Sequence, residues 1–262
     1  MQQQAVVAQQ FGNTASNYLT SSVHAQGADL LRLHDAAAAL PKRPVVLDLG
    51  CGAGHASFAV APAAESVTAY DLSAQMLDVV ADAARQRGHH NLRTRQGDVA
   101  ALPYGDAAFC MVITRFSAHH WLDVPAALRE VRRVLKPNGV FVIIDITAPE
   151  SPLHDTTLQA VELLRDGSHV RDYRPSEWLT MLREAGFTGA QAGDWKLQMK
   201  FDEWIARMRT PAQRVTAIRA LLRSAPEETR DYFAVQADDS FTIDSTMFTA
   251  RPDAAAPAPC RE

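Results

Sequence analysis

From about Pro44 to Ile146, short apolar runs alternate with helix-length segments. The runs are Val45-Val46-Leu47-Asp48-Leu49, Val67 to Asp71, Leu92 to Gln96, Phe109 to Thr114 and Val140 to Ile146. Such runs predict strands of a parallel sheet, buried on both faces by the helices that connect them. Val124 to Leu135 predicts the clearest helix. Val124, Leu128, Val131 and Leu135 recur at helical spacing, with Arg129, Glu130, Arg132 and Arg133 on the other side. Lys136-Pro137-Asn138-Gly139 is expected to end that helix as a turn, by removing a donor and supplying residues that accept left-handed backbone.

Beyond Ile146 the pattern changes. Leu153 to Leu164 and Pro175 to Ala185 predict helices, the second closed by Gly186, and Gly189 to Phe201 predicts a strand. Three helices follow: Asp202 to Arg209, Pro211 to Arg223 with Thr210 as its cap, and Pro226 to Val235. Ser240 to Ala250 alternates as a final strand, so these helices interrupt a strand pair and are expected to cover a site. The Ala- and Pro-rich tail carries no apolar face and is expected to be disordered.

With 262 residues, 47% hydrophobic and 21% charged, the chain has the make-up of a globular protein with a sizeable core. Lys and Arg total 26 against 30 Asp and Glu, a formal charge of -4, which leaves no basic surplus for nucleic-acid phosphates. Met1-Gln2-Gln3-Gln4 has no charged leader followed by an apolar stretch, and no later run is long enough to cross a bilayer, so no membrane anchor is expected. Cys51, Cys110 and Cys260 are too few for a disulfide framework and have no zinc spacing. A reducing cytoplasm and no metal are expected.

The strongest local signal is Asp48-Leu49-Gly50-Cys51-Gly52-Ala53-Gly54, which follows an apolar strand and opens onto the helical stretch from His55. Gly50, Gly52 and Gly54 let backbone approach a ligand closely while the chain reverses. A dinucleotide-binding turn needs a glycine five positions after the first, where this chain has His55. That spacing opposes NAD and favours another nucleoside ligand. Asp71 ends the next strand, 23 positions after Asp48, where a carboxylate can accept two ribose hydroxyls, with helix capping the plainer alternative. Asp98, after Gly97, is either a ligand acceptor or a turn former.

These segments resemble motifs of the class I S-adenosylmethionine-dependent methyltransferases, and the resemblance runs from Pro44 to Ile146. Asp71-Leu72-Ser73-Ala74-Gln75-Met76-Leu77 is similar to the family's second-strand end, and Gly97-Asp98-Val99 to the segment whose Asp meets the adenine amino group. Val134 to Val140 resembles the turn before strand five, with Asn138 where glycine is more usual. Thr114-Arg115-Phe116-Ser117-Ala118-His119-His120-Trp121, with Phe11 to Tyr18 upstream, resembles a small-molecule branch that includes quinone-biosynthesis C-methyltransferases. Ser168 to Tyr173 and Trp204 to Pro211 are similar to an uncharacterised bacterial group of that branch.

The resemblance implies an α/β, Rossmann-like, doubly wound and mostly parallel sheet of seven strands with helical cap elements. Residues 1–43 would form an N-terminal helical cap, 44–250 the methyltransferase domain with helical insertions at about 151–185 and 202–235, and 251–262 the disordered tail. It also implies that Asp48, Gly50, Cys51, Gly52, Gly54, Asp71, Leu72, Met76, Asp98 and Val99 bind S-adenosylmethionine, leaving S-adenosylhomocysteine as product. Thr114, Arg115 and Tyr18 are counted with them, Arg115 as a partner for the donor's carboxylate or an anionic acceptor.

Methyl transfer from a sulfonium is an in-line displacement that chiefly requires alignment, and a base is needed only if the acceptor must lose a proton. His119 and His120, just past the fourth strand, are the catalytic candidates. Phe11 and Tyr18 lie seven residues apart, two helical turns, and could wall the sulfonium. Phe11, His24, Trp121, His169 and Tyr173 are candidates for the acceptor side. The loop after strand four has no Asn-Pro-Pro-Tyr-like sequence and the sheet region no Pro-Cys nucleophile, which disfavours nucleobase methylation. A small-molecule acceptor is therefore expected. An NAD-dependent oxidoreductase and a catalytically idle nucleoside-binding module are the alternatives.

Overall fold

The computed structural model describes residues 2–12 and 27–253. A helix α1 (Gln3–Gly12) and a helix α2 (Ala28–Ala38) precede an alternating series. This series runs β1 (Val45–Leu49), α3 (His55–Val60), β2 (Ser66–Asp71), α4 (Ala74–Gln86), β3 (Leu92–Gln96) and β4 (Phe109–Arg115). A single turn of 3-10 helix at Ala118–His120 leads to α5 (Val124–Val134) and β5 (Leu135–Thr147). Then come α6 (Pro152–Arg165), α7 (Pro175–Glu184), β6 (Phe187–Met199), α8 (Phe201–Arg207), α9 (Ala212–Ser224), α10 (Glu227–Tyr232) and β7 (Phe241–Pro252).

The seven strands form one sheet in the order β3-β2-β1-β4-β5-β7-β6. β1 to β5 run parallel, while β7 is antiparallel to both of its neighbours. This is the doubly wound, mostly parallel α/β architecture. The strand order reverses between β1 and β4, the position at which such sheets open a crevice at their carboxyl ends.

Successive strand residues face opposite layers. Leu47, Val112 and Phe141 pack with Val124, Leu128 and Val131 of α5 and with Trp178 and Leu182 of α7. Their neighbours Val46, Met111 and Val142 pack with Leu33 of α2 and Val60 of α3 on the other side. β3, at the sheet edge, keeps exposed Arg93, Arg95 and Gln96, so it is not covered on both faces as its apolar start suggests. A third core joins Leu158 and Val161 of α6 to Trp204, Ile218 and Phe233 of the helices inserted between β6 and β7. Helix starts follow local chemistry: Ser73 Oγ accepts from Met76 N (3.3 Å), and Asp123 Oδ1 accepts from Ala126 N (2.8 Å).

Several sequence expectations need correction. Lys136 to Gly139 is not a left-handed turn: neither Asn138 nor Gly139 has positive φ, and β5 starts directly at Leu135. The reason lies in the pairing. Phe109 faces Leu135 and Met111 faces Val140, so β5 spends five steps where β4 spends two, and an irregular extended stretch absorbs the surplus. Thr210 does not cap α9; its hydroxyl donates to Arg165 O (3.0 Å) and ties the inserted helices to α6. Arg251 and Pro252, assigned to the tail, continue β7, and Asp253 N donates to Gly186 O (2.9 Å).

Candidate active site

The glycine turn at the end of β1 is built from left-handed backbone: Gly50, Gly52 and Gly54 have φ of 63°, 50° and 83°. Side chains rarely adopt such angles, and at Gly50 a Cβ would also collide with Ser117 Oγ. Gly50 N and Cys51 N donate to Tyr70 O (2.8 and 3.1 Å), which fixes the turn on β2. Among the described residues, nothing stands within 4 Å of a Cβ built at Gly52, so the turn faces open space there.

That space is a cavity of about 190 Å³ at the carboxyl ends of β1, β2 and β4. Asp48, Gly50, Cys51 and Gly52 line it from β1 and its turn. Asp71, Leu72 and Met76 contribute from the β2–α4 junction, and Asp98 and Val99 from beyond β3. Arg115, His120 and Trp121 close it from the end of β4. Ten of the residues expected to bind the donor thus line one hollow.

Its electrostatics centre on two buried carboxyls. Asp48 Oδ2 accepts from Ser57 Oγ (2.6 Å), while Oδ1 is buried with no hydrogen-bond partner among the described residues. Burial pushes Asp48 up to about 7, with the Ser57 hydrogen bonds opposing. Asp71 clamps two backbone amides, Gly52 N on Oδ2 and Ser73 N on Oδ1, both at 2.9 Å. Burial raises it too, against those same amides. Asp98 Oδ1 accepts from Ala100 N (2.9 Å) as a turn former, and its Oδ2 accepts from Gln4 Nε2 (2.5 Å).

Other predicted residues fall elsewhere. Thr114 is fully buried and its hydroxyl donates to Leu49 O (2.9 Å), so it braces β1 against β4 away from the cavity. Gly54 faces Phe58 and Val80, a packing contact outside the cavity lining. Arg115 lines the cavity but forms a buried ion pair with Asp29, at the start of α2, and lies over the Phe116 ring (4.4 Å). His169 donates through Nε2 to Gln159 Oε1 (3.0 Å) and Tyr173 packs edge-on against Trp178, and neither lines this cavity. Tyr18, His24 and the side chain of Phe11 lie outside the described residues.

The structure adds residues that the sequence did not mark. Gln3, Gln4 and Val7 of α1 line the cavity, and Gln3 Nε2 donates to Ser168 O (2.7 Å), strapping the helix across the opening. Phe116 also lines it, held at a left-handed φ of 52° that costs about 1–3 kcal/mol in a residue with a side chain.

The two histidines differ sharply. Asp145 Oδ1 accepts from His119 Nδ1 (2.6 Å), and Asp145 Oδ2 accepts from Ala118 N (2.8 Å). Burial would push His119 down, but Asp145, with Asp172 and Glu162 adding, outweighs it and holds His119 up at about 9. His120 is pushed down to about 4 by burial and by the charge on His119. At neutral pH, His119 is thus the cation and His120 is neutral. His120 Nδ1 donates to Ser168 O (3.1 Å), a carbonyl that can only accept, which makes Nε2 the lone-pair nitrogen. Of the two histidines, His120 is thus the one in its neutral form at neutral pH, and it also lines the cavity.

A family model described as a methyltransferase domain matches residues 47–143. The uncharacterized methyltransferase YcgJ of Bacillus subtilis (strain 168) is 37% identical over 226 residues, 86% of this chain and 88% of that one. The chain belongs to the S-adenosylmethionine-dependent methyltransferases. YafE of Escherichia coli (strain K12), an uncharacterized protein, is 50% identical over 201 residues, 77% of this chain and 97% of the relative. The crystal structure of YcgJ superimposes with a TM-score of 0.82 at 34% identity, covering 87% of this chain and 99% of that one. The demethylmenaquinone methyltransferase of Chlorobaculum parvum is 34% identical over only 114 residues, 43% of this chain and 45% of that enzyme. Likeness to quinone methyltransferases is thus partial, and the broader family is what the chain shares with its long relatives. Membership of this family implies binding of S-adenosylmethionine. Among the described residues, no helix is long and apolar enough to cross a membrane.

Proposed function

We propose that the protein transfers the methyl group of S-adenosylmethionine to a small-molecule metabolite in the cytoplasm by in-line displacement. The observation that carries this reading is Asp48 Oδ1, buried and without a partner among the described residues, at the wall of a cavity beside the glycine turn. A buried carboxylate oxygen of this kind calls for a cationic or hydrogen-donating ligand. The donor's ammonium and sulfonium answer that demand, and its sulfonium supplies an already activated methyl group.

Asp71 accepts the ribose hydroxyls with the lone pairs left over from its two backbone amides. Asp98 accepts the adenine amine at the oxygen that Gln4 contacts here. Leu72, Met76 and Val99 supply an apolar bed for the base, Met76 and Val99 themselves buried. Arg115 positions Phe116 and the start of the His119–His120 turn through its pairing with Asp29. Where the acceptor must lose a proton, His120 takes it at Nε2, and Asp166 Oδ2, 4.0 Å away, stabilises the resulting cation.

Asp71→Ala tests the donor site. The variant should bind S-adenosylhomocysteine about 1.5–3 kcal/mol more weakly, the scale of hydrogen bonds to a charged group. Unchanged affinity in a folded variant removes Asp71 from the site.

A further inference from the structure

A second, smaller cavity of about 70 Å³ lies on the far side of Phe116 and His120, which line both hollows. It is bounded by the 3-10 turn, by α6 and the loop after it, and by the strand ends and helix of the β6–β7 insertion. Its apolar walls include Ile146, Leu197, Met199, Trp204 and Ile243. At roughly the volume of two waters, it has room for the reacting tip of an acceptor.

Charges of both signs line it and are largely compensated: Glu162 and Asp166 stand with Arg165, Arg207 and His119, whose charge Asp145 holds, and burial keeps Asp172 toward its neutral acid. Glu162 pairs with Arg165 (3.3 Å), and Asp166 Oδ1 accepts from Ser168 N (2.8 Å) and Oγ (2.7 Å). No excess charge of either sign is left to offset the desolvation of an ionic tip, so a neutral tip is the one that fits.

One group asks for a ligand. Asp172 is 1% exposed, and its Oδ2 has no hydrogen-bond partner among the described residues. The nearby His169 is 3.9 Å away and already donates Nε2–H to Gln159. A hydroxyl suits this oxygen in either protonation state of the acid, because it both donates and accepts.

We propose that the second cavity is the acceptor site and that it takes a neutral tip carrying two hydroxyls, one methylated on oxygen beside His120 and the other held by Asp172. This rests on the methyltransferase reading and gives it an acceptor class. The reacting oxygen forms its bond to the methyl carbon as the carbon–sulfur bond breaks, with that electron pair staying on sulfur. The hydroxyl proton passes to His120 Nε2, and the cation so formed faces Asp166. His119, tied to Asp145, presents its positive charge in the same cavity and lowers the cost of negative charge developing on oxygen.

The test uses the full chain saturated with S-adenosylhomocysteine and follows the Trp204 indole and His120 ring signals by NMR. Ethane-1,2-diol, ethanol, ethylamine and acetate are added separately. The diol should shift both residues at the lowest concentration. Asp172→Asn should weaken its binding about tenfold, as should Leu197→Phe, which narrows the cavity, while both variants keep the wild-type affinity for S-adenosylhomocysteine. Tighter binding of ethylamine or acetate overturns the hydroxyl assignment. No shift with any of the four, in protein that binds S-adenosylhomocysteine, overturns the acceptor site and leaves the methyltransferase reading standing. Failure of the wild-type protein to bind S-adenosylhomocysteine defeats that reading instead.

Discussion

Asp48 carries two opposed consequences of one buried carboxyl. The folded chain holds its proton up to about pH 7, whereas the unfolded chain releases it near the ordinary value of 3.8. Between those values the folded state binds more protons, so Asp48 makes stability fall as pH rises, with no further loss above about 7. Asp48→Asn should flatten that slope in denaturant titrations while weakening S-adenosylmethionine about tenfold, the scale of a lost charged hydrogen bond. In the wild type, donor affinity should rise through about pH 7 as the carboxyl ionises to meet the cation. A variant that loses neither the slope nor the affinity leaves Asp48 as a brace of the glycine turn through Ser57. The histidine pair predicts a second profile. With donor saturating, kcat should rise as His120 loses its proton near pH 4 and fall as His119 loses its own near pH 9. His119→Gln should remove the alkaline limb, and His120→Ala should lower kcat across the range; a profile unchanged in both assigns the pair to structure.

At the scale of elements, legibility followed periodicity and backbone chemistry. The α5 stripe of Val124, Leu128 and Val131 was readable because one face of the helix is fully buried against the sheet. Leu128→Ala should cost about 2–5 kcal/mol in denaturant titrations, with affinity for S-adenosylhomocysteine kept, since no α5 residue lines the donor cavity. Loss of affinity in proportion to stability would show that the site and the core are not separable. The glycine turn was readable because only glycine repeats cheaply at positive φ. Lys136 to Gly139 was misread because pairing with β4, a tertiary effect, overrides the local preference of Pro, Asn and Gly for a turn. The α1 glutamines were invisible because a polar amide carries no motif; Gln3 and Gln4 matter only through Ser168 and Asp98, 165 and 94 positions away in sequence.

Across the whole molecule, the parallel half of the sheet presents the donor cavity and the antiparallel edge, with its helical insertion, presents the second. Phe116 and His120 stand at the boundary because β4 ends where the strand order has reversed. The run containing both histidines stood out in sequence, but which one is charged did not, because Asp145, Glu162 and Asp172 reach His119 from β5, α6 and the loop beyond it. His169 and Tyr173 lie outside the lining of both cavities, and their contacts with Gln159 of α6 and Trp178 of α7 could not be read from the local sequence. The central claim is a donor site for S-adenosylmethionine beside an acceptor site, and calorimetric titration tests it most directly. Purified protein is titrated in parallel with S-adenosylmethionine, S-adenosylhomocysteine and NADH. Saturable binding of the first two with none for NADH is the expected result; binding of NADH alone, or of no nucleoside to folded protein, contradicts the account.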